Sequence, residues 1–258
     1  MKIALVGYGK MGHMLEQAAI SLGHQIVATI DSFAPDASVK VTNSTEIVKA
    51  VQESGAEGII EFTHPKAVIE NIQALIPLKL PLVVGTTGWY DNLDKIKDLV
   101  KKENSALFYS PNYSIGVNMF YKMVEHASTL MAQYDEYDCA VWEAHHNQKA
   151  DSPSGTALAV AKAVMNGNPA KTEMVFDAFH QKPEHNQLHV SSTRCGSIPG
   201  THKVFFDSPA DTIEITHTAR SREGFAMGAV RCLNWLSAGI SDGFLTVGNV
   251  YTMKDFLG

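Results

Sequence analysis

The run Glu143-Ala144-His145-His146-Asn147-Gln148-Lys149-Ala150-Asp151-Ser152-Pro153-Ser154-Gly155-Thr156-Ala157 sets two imidazoles, an ammonium and a helix start in one short segment. Imidazole and ammonium groups can hand over a proton, and the unpaired N–H groups at a helix start attract an anion, a carboxylate as readily as a phosphate. Together they suit a small acidic substrate that must gain a proton. Upstream, Tyr137, Cys139 and Val141 alternate with Asp138, Ala140 and Trp142, the period of a strand with one buried face, so the histidines fall where a strand ends. Downstream, the turn residues Ser152 to Gly155 precede Ala157-Leu158-Ala159-Val160-Ala161, which predicts a helix beginning near Ser154. A strand sends the adjacent His145 and His146 to opposite faces, so one ion does not easily take both and no metal is expected. A plainer reading of the same residues makes Lys149 and Asp151 solvated loop charges and His145 a packed core residue.

A second chemical signal lies at the other end of the chain. Ile3-Ala4-Leu5-Val6 reads as a buried strand that feeds Gly7-Tyr8-Gly9-Lys10-Met11-Gly12, after which Met14, Leu15, Ala18, Ala19 and Leu22 recur at helical spacing. Strand, glycine turn and helix are the context a G-x-G-x-x-G needs to hold a dinucleotide: Gly9 lets the backbone approach a pyrophosphate and Gly12 lets the helix pack closely. Gly23 ends that helix, Ile26 to Ile30 form a second strand, and Asp31 stands at its end as the acid for the adenosine ribose. Asp31 repels a 2′-phosphate and the following Ser32 and Phe33 carry no positive charge, so NADH is expected to serve at least as well as NADPH.

The elements that must carry these groups continue the pattern. Asn43 and Glu46 resemble a capping box before a helix with Ile47, Val48 and Val51; Gly58 to Phe62 read as a strand; Thr63-His64-Pro65 opens another helix with proline in its first turn. Leu80 to Val84 form a strand ending in Gly85-Thr86-Thr87-Gly88, and after a lysine-rich helix Ala106 to Tyr109 form another, ending in Pro111-Asn112-Tyr113-Ser114. Repeated βα units with apolar strands mean a parallel sheet covered on both faces, with ligands beyond its carboxyl edge. Beyond Ser114 come a long helix and the central run, then an irregular polar connection over 166–187, then alternating segments at Leu188 to Arg194, Thr201 to Phe206 and Thr212 to His217. Those segments predict a second, mixed or antiparallel sheet. A helix from Phe225 is followed by a tail that packs back on the first sheet.

The chain has 258 residues, 45% hydrophobic content and a formal charge of −6. It is long enough for one large or two ordinary domains, and its acidic balance argues against nucleic acid or an anionic membrane as partner. Cys139, Cys195 and Cys232 are dispersed and odd in number, which fits neither a disulfide framework nor a zinc knuckle. With no apolar run of signal or membrane-spanning length, a cytoplasmic location is expected.

The whole sequence resembles the bacterial dihydrodipicolinate reductase family, also called 4-hydroxy-tetrahydrodipicolinate reductases, of the lysine and diaminopimelate pathway. The resemblance rests on Glu143 to His146 with Lys149, Asp151 and Pro153 to Ala157, on Val84 to Gly88, on Asn112 with Ser114 to Asn118, on Arg194 to Gly200 with His202, and on Ser221-Arg222 with Phe225-Ala226 and Gly228 to Val230. It implies a Rossmann-like parallel-sheet domain over 1–113, completed by the C-terminal segment 225–258, and an inserted α+β substrate and tetramerisation domain with a mixed sheet over 114–224. It further implies NAD(P)H-dependent reduction, with loss of water, of a small cyclic dicarboxylate, and a homotetramer. By the same resemblance His145 is the proton donor and Lys149 its catalytic companion, and His146, Gly155 and Thr156 bind substrate. Gly7, Tyr8, Gly9, Lys10, Met11, Gly12, Asp31, Gly85, Thr86, Thr87, Pro111, Asn112, Tyr113 and Ser114 form the cofactor turns. Without the resemblance, the residues also admit another dinucleotide-dependent dehydrogenase of a small acid or sugar, or a non-enzymatic NAD(H)-sensing module.

Overall fold

A computed structural model describes residues 1–258, which divide into two compact units, Met1–Ser114 with Glu223–Gly258, and Ile115–Arg222. In the first unit, β1 (Lys2–Val6), β2 (Gln25–Asp31), β3 (Val39–Lys40), β4 (Gly58–Glu61), β5 (Leu82–Val84), β6 (Ala106–Tyr109) and β12 (Asn249–Tyr251) form a seven-stranded sheet in the order β12-β6-β5-β4-β1-β2-β3. Every pairing in it is parallel. The order reverses between β1 and β4, which opens a crevice at their carboxyl ends.

The strands are short and continuously apolar because helices α1 (Lys10–Ser21), α2 (Ser44–Ser54), α3 (Val68–Leu75), α4 (Leu93–Glu103) and α7 (Glu223–Ser241) cover them. Ile59 and Ile60 point to opposite faces of β4 and both have no exposure, each contributing about 1.5–3 kcal/mol by leaving water. Helix α4 shows how the sequence sets this arrangement: Ile96 and Val100 turn inward, and Asn104, at φ 49°, ends the helix in the left-handed conformation. No helix is long and apolar enough to cross a membrane.

In the second unit, β7 (Asp138–His145), β8 (Glu173–Val175), β9 (Gln187–Arg194), β10 (Thr201–Asp207) and β11 (Thr212–Thr218) form a sheet in the order β11-β10-β7-β9-β8. Pairings β10–β11 and β10–β7 are antiparallel, whereas β7–β9 and β8–β9 are parallel, so the sheet is mixed. Helices α5 (Ile115–Met131) and α6 (Gly155–Gly167) pack on one face through Phe120, Val124, Val160 and Val164 against Val141, Val190 and Val204. The tail forms β12 beside β6 and the short helix α8 (Met253–Leu257).

Several boundaries differ from the sequence expectation. Helix α3 starts at Val68 rather than beside Pro65, because 64–67 close a turn through His64 C=O bonds to the Ala67 and Val68 N–H groups. The Asn43 side chain does cap the Glu46 N–H, but the Glu46 carboxylate reaches the Thr42 N–H at 2.6 Å, leaving the capping box half formed. Strands β3 and β8 were not foreseen; each is too short to show a period and exists by pairing with a longer neighbour.

Candidate active site

Strand β7 delivers Glu143 and His145 to the same face, two residues apart, with 0% and 8% exposure. His145 donates its Nδ1–H to Glu143 Oε2, and the Arg194 guanidinium lies 2.8 Å from Glu143 Oε1. Arg194 reaches that position because β7 and β9 pair in a register that sets His145 opposite it. Burial pushes the Glu143 carboxyl up, but the bonds from Arg194 and His145 outweigh it and hold the group below the usual carboxylate range. Burial lowers the His145 pKa, and the Glu143 charge opposes that fall only in part.

Around this pair the elements converge. His202, opposite Glu143 on β10, is buried and its pKa falls to about 4 through desolvation, so it is a neutral ring whose edge meets His145 at a centroid distance of 5.2 Å. The Ser154 hydroxyl lies 3.2 Å from His202 Nε2 and accepts from the Ala157 N–H, capping α6 as the turn residues suggested. Gly200, at φ 147°, faces His145; a Cβ there would come within 2.9 Å of Nε2. Gly200→Ala is therefore expected to lower turnover about tenfold by displacing the imidazole, with a Tm loss of a few degrees. Steady-state kinetics and thermal melts of the variant check this, and unchanged kinetics would show that the ring has room to spare.

Lys149 Nζ lies 2.7 Å from Asp151 Oδ1. Lys149, with help from the Gly155 N–H, holds the Asp151 carboxyl below its ordinary range. Asp151 thus satisfies the same ammonium and helix start that were expected to receive a substrate carboxylate. Gly155 has open space where a side chain would project, Thr156 is half-buried beside it, and His146 is half-buried just past the end of β7. Glu143, His145 and His202 offer ligand atoms within 4.8 Å of one another, the spacing of a metal site. Glu143 is already committed to Nδ1–H and to a guanidinium, and that fixed cation opposes a second one.

The first unit gathers the other set along the carboxyl edge of its sheet. Gly7, at φ 96°, packs so closely on the residue after β4 that a Cβ would lie 2.1 Å from the Phe62 carbonyl oxygen. Gly12 packs on the Gly7 carbonyl, with 2.6 Å to a Cβ. Gly9 begins α1 with no side-chain cap and open space above it, which leaves the first amides, those of Lys10, Met11 and Gly12, without a side-chain acceptor. An uncapped helix start behind a glycine turn fits a pyrophosphate.

Asp31 accepts from the Tyr8 N–H at 2.7 Å and from the Phe33 and Ala34 N–H groups at 2.7 and 2.8 Å. It ties the turn after β1 to the turn after β2. Gly85 lies under the Phe62 ring, Thr86 is buried and accepts from the Thr63 N–H at 2.7 Å, and Thr87 is exposed next to it. In the turn after β6, Pro111 is exposed and the Asn112 Oδ1 accepts from the Ser114 N–H at 2.9 Å. The Tyr113 ring is core, its hydroxyl donating to the Val84 carbonyl at 2.7 Å. The Tyr8 hydroxyl bonds Glu16.

Sequence reasoning assigned no site role to Glu143, Arg194 or Phe62. A buried acid two residues before a histidine on a strand was the available signal for Glu143. Arg194 enters the sequence reading only as part of the family resemblance, and nothing local ties it to Glu143.

Residues 1–113 match the family model for the dihydrodipicolinate reductase N-terminus and residues 116–257 the model for its C-terminus. A protein named 4-hydroxy-tetrahydrodipicolinate reductase from Christiangramia forsetii is 36% identical over 257 residues, covering 100% of this chain and 98% of that one. One of the same name from Archaeoglobus fulgidus is 33% identical over 269 residues, with 100% of both chains covered. Among solved structures, a dipicolinate-bound dihydrodipicolinate reductase from Paenisporosarcina sp. TG-14 shares the fold with a TM-score of 0.75 at 19% identity, over 98% of this chain and 97% of that one. Two family models covering nearly every residue, and full-length relatives above 30% identity, lead to one conclusion: the chain belongs to the dihydrodipicolinate reductase family.

Proposed function

We propose that this chain reduces 4-hydroxy-tetrahydrodipicolinate to tetrahydrodipicolinate, with loss of water, using a reduced pyridine nucleotide, in lysine and diaminopimelate biosynthesis. The observation that supports this best is the Arg194–Glu143–His145 relay beside Lys149 and the start of α6, a proton source next to a carboxylate cradle. A reduced pyridine nucleotide, when bound by the turns of the first unit, would supply the hydride. Lys149 exchanges Asp151 for one substrate carboxylate, while the Gly155 and Thr156 amides, the Thr156 hydroxyl and His146 hold the ring and its other carboxylate. Loss of the 4-hydroxyl with a neighbouring ring hydrogen, as water, gives a conjugated imine; hydride converts this to an electron-rich enamine, and the proton that the enamine takes is the one on His145 Nε2. Glu143 carries the balancing charge before transfer, and afterwards His145 is neutral with its remaining proton on Nδ1. A competitive 2,6-pyridinedicarboxylate inhibition pattern against substrate tests this reading; indifference to that diacid contradicts it.

A pH profile follows from the same assignment. The His145 pKa is lowered, so the donor form is lost as pH rises and kcat/KM declines from below pH 6.5 upward. Glu143 raises that pKa, so Glu143→Gln moves the decline to lower pH and costs about ten- to a hundredfold at neutral pH. Profiles of the two proteins with substrate generated in situ check this; an unmoved limb would assign the proton to another group.

For the cofactor, Gly7 to Gly12 take the pyrophosphate, Asp31 the adenosine ribose, and Gly85 to Thr87 with Pro111 to Ser114 the nicotinamide half. NADH serves at least as well as NADPH, because the Asp31 carboxylate opposes a 2′-phosphate. The β2–β3 pairing does place Lys40 opposite Asp31, a cation that inspection of Ser32 and Phe33 could not see, with its ammonium turned to the Ala34 carbonyl. The ratio of kcat/KM for the two cofactors tests this, and a large NADPH preference overturns it. The family reading also makes the protein a cytoplasmic homotetramer assembled through the mixed sheet, consistent with Ile213 being 39% exposed on edge strand β11.

A further inference from the structure

The last residue of β4 is a carboxyl with no countercharge. Glu61 has 0% exposure, and its Oε2 is buried without a hydrogen-bond partner. Its Oε1 accepts from the Thr63 hydroxyl and, at 3.4 Å, from the Asn71 amide, which also donates to Thr63 Oγ1 at 3.2 Å. Thr63 in turn donates its N–H to Thr86 Oγ1 at 2.7 Å, and the Glu61 carbonyl accepts from the Gly85 N–H at 2.8 Å. Every one of these donors is neutral. The next residue, Phe62, is the wall on which both Gly7 and Gly85 pack, so Glu61 sits beneath the point where the turns after β1, β4 and β5 meet.

We propose that Glu61 is a positioning residue for the dinucleotide: as a neutral carboxylic acid it locks the Thr63 and Thr86 turns, and its ionisation loosens them and weakens binding of the nicotinamide half. This rests on the dinucleotide reading of the first unit. A buried carboxylate with no cation and one unmet oxygen is far costlier than the acid form, so losing the proton forces the turn to open toward water. Desolvation pushes the Glu61 carboxyl up to about 7, against the opposing polar groups of Thr63, Thr86 and Asn71 around it. The titratable group coupled to it is the Tyr113 phenol, fully buried and pushed well above its ordinary range, which stays neutral throughout. The sign is therefore fixed: affinity is highest below neutral pH and falls as pH rises through the Glu61 pKa.

Calorimetric titration of the full chain with NADH and with ADP-ribose, between about pH 6 and about pH 9, separates the possibilities. For the unaltered protein the NADH Kd is expected to rise about tenfold across this range, while the ADP-ribose Kd, which reports the adenosine end and any titration of His13, changes far less. Glu61→Gln, a neutral isostere, should rescue tight binding at high pH and flatten the NADH profile to that of ADP-ribose. Glu61→Ala should weaken NADH about tenfold or more at both pH values while sparing ADP-ribose. A Glu61→Gln protein whose NADH profile tracks that of the unaltered chain overturns the proposal even if Glu61→Ala fails to fold. Failure of ADP-ribose to bind at all would remove the dinucleotide reading and this proposal with it.

Discussion

Lys149→Ala and His145→Ala are each expected to lower kcat/KM by about a hundredfold or more while the NADH Kd stays within about threefold. The two losses have different physical origins. Removing the Lys149 ammonium takes away the charge that now holds Asp151 and that the proposed mechanism hands to a substrate carboxylate, so KM is expected to rise as well as kcat to fall. Removing the His145 imidazole leaves Glu143 buried, with Arg194 as its charged partner and no transferable proton on that face, so the loss is mainly in kcat. Neither side chain belongs to the first unit, where the glycine turn and Asp31 lie, so binding of NADH is spared. Steady-state kinetics with parallel NADH titrations measure both, and near-normal turnover in both variants would remove the assignment.

The opposite signature is expected of Gly7→Ala: NADH binding weakened about a hundredfold or more, with 2,6-pyridinedicarboxylate binding retained. An added Cβ would meet the Phe62 carbonyl oxygen at 2.1 Å, a backbone atom held in place by the Phe62 N–H bond to Val6. At φ 96° the residue also lies where a side chain is strained, and the Gly7 N–H bond to the Ile30 carbonyl at 2.8 Å prevents an easy escape. The clash opens β1 from β4 at the point where the sheet order reverses, and a drop in Tm of several degrees should accompany it. Calorimetric titration of the folded variant with both ligands is the check; NADH binding unchanged from the parent would show that the turn can rearrange.

Much of this site was legible in the sequence because its parts are local. The alternation from Tyr137 to Trp142 placed His145 at a strand end, and Ser154 ahead of an alanine-rich run marked the start of α6. The glycine turn after β1 and the acid at the end of β2 read in the same way. What escaped was made by pairing between distant segments. Arg194 reaches Glu143 only through the β7–β9 register, His202 reaches Ser154 only because β10 lies beside β7, and Lys40 faces Asp31 only through the two-residue strand β3. The helix starting at Val68 shows the complementary error, a local proline signal overridden by a turn that closes on His64. Asp151 is the exposed loop charge of the plainer reading, and in the fold it also pairs with Lys149 and the Gly155 N–H.

The most direct measurement of the central claim couples the chain to the aldolase that makes the unstable 4-hydroxy-tetrahydrodipicolinate and follows nicotinamide absorbance. The expected result is a loss of absorbance that requires both this chain and the aldolase reaction, is supported by NADH at least as well as by NADPH, and is suppressed by 2,6-pyridinedicarboxylate in competition with substrate. Steady absorbance with either nucleotide, while the aldolase product accumulates, would contradict it.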